Sequence, residues 1–384
     1  MCDKLSSLPD SLLLHILSFL PTKQAVATSF LSKRWRPLRH SLPTLIIHDA
    51  KFLGREVFIQ FVDDVLISGD LKFLKNFGLN CWSLDLPNDK INIWIDALIN
   101  SKVEHLEIWF PYRFNTKLPS GVFNCSTIRV LKFHGITFSS LSSVNLPSLE
   151  VLHLNRVRLP DINCLAMLLS GCALLEMLVL TDLDVNNYGP TQEIGKLNHL
   201  VTAVVPPSLV PLEALSNVTF LSLQSIWSPG VTMHAIWSPD ADNIPTFYNL
   251  THLECYVDGW TRIVNCFRNF PKLQNLVIFK LFCRFPHEPI PNVPTCLSSH
   301  LKEFTFGDFQ LHEAYVAFMK FILNNAQVLC SVKITSGYTL SSEVEISEMI
   351  KVISGYPRAS ENCKFLHDIS LGSSRKDWDC WFRF

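Results

Sequence analysis

Leu149-Glu150-Val151-Leu152-His153-Leu154-Asn155 carries the pattern on which the fold turns. Leu149, Leu152 and Leu154 follow an apolar-x-x-apolar-x-apolar spacing. Leu152 and Leu154, with His153 between them, give the period-2 alternation of a strand, and Leu149 turns into the same core three positions earlier. Working outward, the spacing recurs upstream as Leu42-Leu45-Ile47, Leu74-Phe77-Leu79, Val103-Leu106-Ile108 and Ile128-Leu131-Phe133. Downstream it recurs as Leu175-Leu178-Leu180, a weaker Leu200-Ala203-Val205, Val218-Leu221-Leu223 and Leu250-Leu253-Cys255. Leu273-Leu276-Ile278, Leu301-Phe304-Phe306 and Leu329-Val332-Ile334 complete the series. Copies lie about 20–30 residues apart, and units of that size cannot bury an apolar face alone, so they stack into a solenoid. A sandwich of alternating strands is the competing arrangement. The helical spacing of Ile162–Gly171 and Ala314–Ala326 between strands favours the solenoid.

Composition bounds the rest. The chain of 384 residues is 48% apolar and 17% charged, with net charge −1. That near-neutral balance gives no electrostatic case for nucleic acid or an anionic membrane. No run of 18 or more apolar residues offers a membrane span. Met-Cys-Asp-Lys at the start lacks the basic region and apolar core of a signal peptide. The 12 cysteines include no C-x-x-C pair. They read as reduced, mostly buried thiols, and the expected location is cytoplasm and/or nucleus. The sequons at Asn124, Asn217 and Asn249 carry no meaning without secretion.

Ahead of the repeats, Leu5–Leu38 reads LSSLPDSLLLHILSFLPTKQAVATSFLSKRWRPL. Leu12, Leu13, Ile16, Leu17 and Leu20 have helical spacing, with Pro9 expected at the first helical position and Pro21 as the stop. Thr22 can cap a second helix through Ala25, Val26 and Ser29, and Ser32 a third carrying Trp35. So small a unit buries little surface and leaves an apolar face for a partner.

Three blocks in order, Leu8-Pro9-Asp10, Ile16-Leu17-Ser18-Phe19-Leu20-Pro21 and Leu31-Ser32-Lys33-Arg34-Trp35-Arg36, resemble the F-box. Leu38-Arg39 departs from the Leu-Trp often found after the third block in plant members, which bears on the end of the third helix. The resemblance implies docking onto a Skp-type adaptor, and through it a cullin–RING ubiquitin ligase. It implies a docking contact from Leu8, Pro9, Leu13, Ile16, Leu17, Leu20, Pro21, Val26, Leu31 and Trp35. Farther on, Leu301-Lys302-Glu303-Phe304, Phe321-Ile322-Leu323-Asn324-Asn325-Ala326 and Tyr356-Pro357-Arg358-Ala359-Ser360 before Cys363 resemble the FBD region of plant F-box proteins; Ile93-Trp94-Ile95 adds to that likeness. The nearest group is the plant F-box/FBD/leucine-rich-repeat family. The expected fold is α+β: a three-helix F-box over 4–48, an α/β leucine-rich-repeat solenoid over 70–298, and an FBD-type cap over 299–370. The asparagine common in such repeats occurs only as Asn155 and a few approximate positions, which predicts imperfect hydrogen bonding between turns.

Catalytic constellations are missing from the sequence: no G-x-S-x-G, H-E-x-x-H or Walker loop, and no zinc-ligand spacing. Cys164, in an apolar helical segment, reads as a buried thiol rather than a nucleophile. The expectation is a non-catalytic chain with no cofactor and no metal. Side chains between the core positions should form the concave strand face: His105, Glu107 and Trp109, then Lys132 and His134, then His153 and Asn155. Glu107, Lys132 and His153 should make one row, and Trp109, His134 and Asn155 the next. Histidines there would titrate near neutral pH. Between Leu223 and Leu250 a longer connection repeats Ile-Trp-Ser-Pro at Trp227 and Trp237, either a functional loop or an edge cover. The reading is a substrate receptor of a Skp–cullin–F-box ligase binding an unidentified protein. A ligase-independent interaction scaffold is the rival, and a small molecule that glues the target to the concave face is a third possibility.

Overall fold

Most repeats enter their strand through one backbone oxygen that is used twice. In the computed structural model, which describes residues 7–19, 42–67, 69, 71–186, 194–224, 244–282, 292–307, 309, 312–335 and 350–368, the N–H groups of Glu150 and Val151 both donate to the Arg129 carbonyl, at 2.8 and 3.0 Å. Arg129 and Val130 in turn donate to Glu104 at 2.7 and 3.1 Å, and Glu104 and His105 to Lys75 at 2.9 and 3.0 Å. Glu176 and Met177 continue the relay onto Glu150 at 2.8 and 2.9 Å. From Lys75 to Met177 hydrogen bonding between turns is therefore unbroken and made by the main chain. The positions three residues past the last core side chain of a strand hold Ile136, Val157 and Leu183, all buried and apolar, so no side-chain ladder is needed there. Asn155 lies on the strand face instead.

The chain divides into two compact units, Met1–Gly195 and Lys196–Phe384. In the first, parallel strands β1 (Thr44–His48), β2 (Asn76–Asn80), β3 (His105–Trp109), β4 (Val130–His134), β5 (Val151–Asn155) and β6 (Met177–Thr181) pair in sequence order. Leu106, Leu131, Leu152 and Leu178 are in register, and each is fully buried. The sheet begins at Thr44, inside the span 4–48 expected for the helical unit. Helices Arg55–Leu66 and Asn88–Asn100 bury Phe58, Val62, Ile91, Trp94 and Leu98. Asp63 ties the two together by accepting from Trp94 Nε1 and Lys90 Nζ, each at 2.7 Å.

After each of β4, β5 and β6 the chain makes a left-handed turn, at Gly135 (φ 70°), Arg156 (φ 51°) and Asp182 (φ 50°). Gly135 has no room for a side chain: a Cβ would stand 1.9 Å from the Phe110 carbonyl oxygen. A two-residue strand after β3, Thr116–Lys117, and those past the three turns, Ile136–Thr137, Arg158–Leu159 and Asp184–Val185, form a second parallel ladder. Helix Ile162–Ser170 follows, capped by the Asp161 side chain, which accepts from Cys164 N at 2.8 Å.

The second unit repeats the scheme with β7 (Thr202–Val205), β8 (Phe220–Leu223), β9 (His252–Asp258), β10 (Asn275–Phe282), β11 (Glu303–Phe306), β12 (Ser331–Thr335) and β13 (Lys364–Asp368). The helix expected near Ala314–Ala326 runs Glu313–Asn325. It sets Phe318 against Phe304 and Phe306, and Tyr315 flat on Phe306 at 5.2 Å. Strand β13 does not show in the spacing because its register places His367 opposite Ile334. Ser360, buried just ahead of this strand, donates to Leu329 O at 2.6 Å.

Leu152→Ala and Leu178→Ala should each lower stability by about 2–5 kcal/mol. In urea unfolding the midpoint should fall with the slope unchanged. Midpoints within error of the parent chain would contradict this packing.

Candidate functional site

The alternation that buries Leu106 and Ile108 turns His105, Glu107 and Trp109 to the other face of the sheet. Pairing register then lines these residues up from strand to strand. Glu107, Lys132 and His153 are mutual partners, and so are Trp109, His134 and Asn155. Both rows form as the spacing implies. The middle row runs from Ile46 through Gly78 to Glu107, Lys132, His153 and Val179. Burial raises the Glu107 carboxyl, and Lys132 beside it opposes that; the same burial lowers Lys132.

The third row is an aromatic stack. Trp82, two residues past β2, lies on Trp109 at 3.9 Å between ring centroids, and Trp109 lies on His134 at 4.5 Å with 17° between planes. Trp82 is 58% exposed, so the stack ends on an open indole. Sequence spacing misses Trp82 because it falls outside the strand pattern. Beyond His134, Asn155 Oδ1 and Thr181 Oγ1 are shielded from solvent and have no hydrogen-bond partner among the described residues. The row can stack, accept and donate, and these are the means by which a protein segment is recognised.

The histidines do not behave as the sequence predicts. His153 is only 7% exposed. Burial, with Lys132 and His134 nearby, lowers its pKa to about 3. Burial and Arg156 lower His134 to about 4, and burial lowers His105 as well. At neutral pH the rings are uncharged. The histidines of both rows are thus neutral polar groups and not proton switches in that range, and His153 is too covered to be a contact residue.

At the N-terminus, helix Asp10–Ser18 begins one residue later than expected. Pro9 caps it, its carbonyl accepting from Leu12 and Leu13 at 3.0 and 3.1 Å. Leu13 and Leu17, one turn apart, are buried within the chain. These two are therefore supports of the helix and not surface contacts. The surface apolar set is Leu12, Ile16 and Phe19, at i, i+4 and i+7, together with Pro9 and the half-buried Leu8. Leu20, Pro21, Val26, Leu31, Trp35, Trp227 and Trp237 lie outside the described residues.

Burial pushes the Cys164 thiol up to about 11 and Cys172 to about 12, the direction opposite to an activated nucleophile. Among the described residues no group of histidine, cysteine, aspartate and glutamate could hold a metal ion, and no helix is long and apolar enough to cross a membrane.

Comparison with known proteins accounts for this arrangement. The F-box domain model matches residues 5–38, a model of the leucine-rich repeats of FBD-associated F-box protein At5g56370 matches 91–192, and the FBD model matches 288–334. F-box/FBD/LRR-repeat protein At4g26340 of Arabidopsis thaliana is 30% identical over 434 aligned positions, covering 95% of this chain and 100% of its own length. F-box/FBD/LRR-repeat proteins At4g00160 and At5g56420, also from Arabidopsis thaliana, are each 28% identical, over 95% of this chain and 94% and 99% of their own lengths.

Neutral buried histidines have a consequence for stability. The unfolded chain takes up protons below about pH 6.5, whereas folded His134 and His153 resist them. The stability these two contribute should be complete above that pH and decline as pH falls toward 4. Their imidazole proton resonances should not titrate between pH 6 and 8. A titration midpoint near 6.5 for either ring would show that it is open to solvent.

Proposed function

This chain belongs to the plant F-box/FBD/leucine-rich-repeat family, and from that premise we propose that it is a substrate-receptor subunit of a Skp–cullin–F-box ubiquitin ligase. The F-box implies a Skp-type adaptor as partner. The repeats are the part given to protein interaction, and in this reading they hold the protein to be ubiquitinated. The observation that carries the proposal is the pairing of an F-box match at residues 5–38 with a strand face that ends in the stack of Trp82, Trp109 and His134. The two features occupy different parts of the chain, as a bridging subunit requires.

The chain itself makes and breaks no bonds in this role. It raises the local concentration of a target lysine near the activated ubiquitin, and effective concentrations of this kind change rates strongly without new chemistry. Such a ligase subunit works in the cytoplasm or nucleus, where its cysteines stay reduced.

Docking should depend on the exposed side of the first helix. A central interface anchor contributes roughly 2 kcal/mol or more. Ile16→Ala combined with Phe19→Ala, or Leu8→Ala combined with Pro9→Ala, should weaken binding of a purified Skp-type adaptor at least about tenfold in titration calorimetry, with the unfolding midpoint of the repeats unchanged. Wild-type affinity in both double variants would favour a ligase-independent scaffold. Trp82→Ala with Trp109→Ala should abolish ubiquitination of a bound target in a reconstituted ligase while adaptor affinity stays the same. Undiminished transfer would put the target elsewhere on the chain.

A further inference from the structure

Among the described residues of the second unit, one shielded carboxylate has no counter-charge beside it. On β9, Leu253 and Cys255 point into the core, so His252, Glu254 and Tyr256 share the opposite face. Glu254 pairs in register with Ser222 on one side and Val277 on the other. Its Oε2 is shielded from solvent and accepts no hydrogen bond among the described residues, where it also has no ion-pair partner. Burial pushes the carboxyl pKa upward and the neighbouring Ser222 hydroxyl opposes it, although Ser222 Oγ is itself shielded from solvent and makes no hydrogen bond among the described residues. Lys333 sits in the same row, but Val277 and Thr305 intervene, which places it about 14 Å away at the usual strand spacing.

Aromatic rings flank this carboxylate along its strand. On one side Phe220 and His252 stack, with centroids 6.0 Å apart and planes 27° apart. On the other, Tyr256 and Phe279 stand 5.0 Å apart. The second pair depends on a bulge: register shifts between Cys255 and Tyr256, so Tyr256 pairs with Lys280 and Phe279 is the extra residue beside it. His252 is not the missing cation. Its Nδ1 is 2.9 Å from Thr251 Oγ1, its Nε2 meets the Asn275 amide, and burial lowers its pKa.

A carboxyl group in a shielded site, with π faces before and after it, complements one chemical group best. A guanidinium is planar and weakly hydrated, forks onto a carboxylate with two N–H donors, and stacks on aromatic rings. We propose that Glu254 is the receptor for an arginine side chain of the target protein, carried on a segment that crosses β8, β9 and β10. Phe220, His252, Tyr256 and Phe279 sandwich that side chain. The proposal rests on the receptor reading and adds to it the chemistry by which a target is chosen.

A displayed library of random 12-residue peptides, selected on the full chain bound to its adaptor, tests the assignment. Arginine should be enriched at one position at least fivefold over the input. A synthetic peptide from that pool should bind Glu254→Gln at least tenfold more weakly than the parent chain, and the same peptide with citrulline for arginine should bind the parent equally weakly. Citrulline and Glu254→Gln together should cost no more than either alone. Peptides enriched in lysine, or lacking a basic residue, or binding Glu254→Gln within twofold of the parent, would overturn the proposal, as would failure to select any peptide. The receptor reading is judged separately, by adaptor affinity and by the Trp82/Trp109 variant.

Discussion

A carbonyl that accepts two N–H groups from the next repeat is the interaction on which the whole arrangement depends. Pro43 does this for Lys75 and Asn76, Val201 for Thr219 and Phe220, and Lys302 for Cys330 and Ser331. Each such pair of bonds sets where the following strand starts, to the residue. Because side chains alternate with a period of two, a slip of one residue would turn every core leucine outward and every surface residue inward. The shared carbonyl therefore fixes the surface as well as the backbone. It is why Glu107, Lys132 and His153 align, and why Trp82, Trp109 and His134 can stack.

Much of this was legible from the amino-acid order. The spacing around Leu152 located the strands from Thr44 to Thr335 and gave their register, because burial on one face leaves a regular trace. Helices Ile162–Ser170 and Glu313–Asn325 were legible for the same reason. What escaped reading had no such trace. Strand β13 carries His367 where an apolar residue would mark it, and Ser360 fixes its approach through a hydrogen bond. The relay of shared carbonyls is made by main chain, which has no letter in a sequence. Trp82 was missed because it belongs to a loop that only the fold brings over β3.

The histidines show a different limit. Their positions were read correctly and their chemistry was not. Residue type sets the ordinary pKa, but burial between neighbouring strands sets the actual one, and His134 and His153 lie deep enough in their rows to stay neutral. The same reasoning runs in reverse at Glu254, where a position among several polar ones becomes distinctive only when its described neighbours prove to include aromatic rings and no positive charge. In the first helix, spacing alone placed Leu12, Leu13, Ile16 and Leu17 together; burial separates Leu13 and Leu17 inside from Leu12 and Ile16 outside.

The proposed receptor role requires two surfaces with separate partners: an apolar helix side near the N-terminus for the adaptor, and strand faces of the repeats for the target. Hydrogen exchange of the chain, measured alone and saturated with a Skp-type adaptor, tests that division most directly. Protection should increase within residues 5–38, including helix Asp10–Ser18, and stay unchanged along β1 to β6 and β7 to β13. Protection spread across the strand faces by the adaptor alone would contradict it, because the surface assigned to the target would then already be occupied.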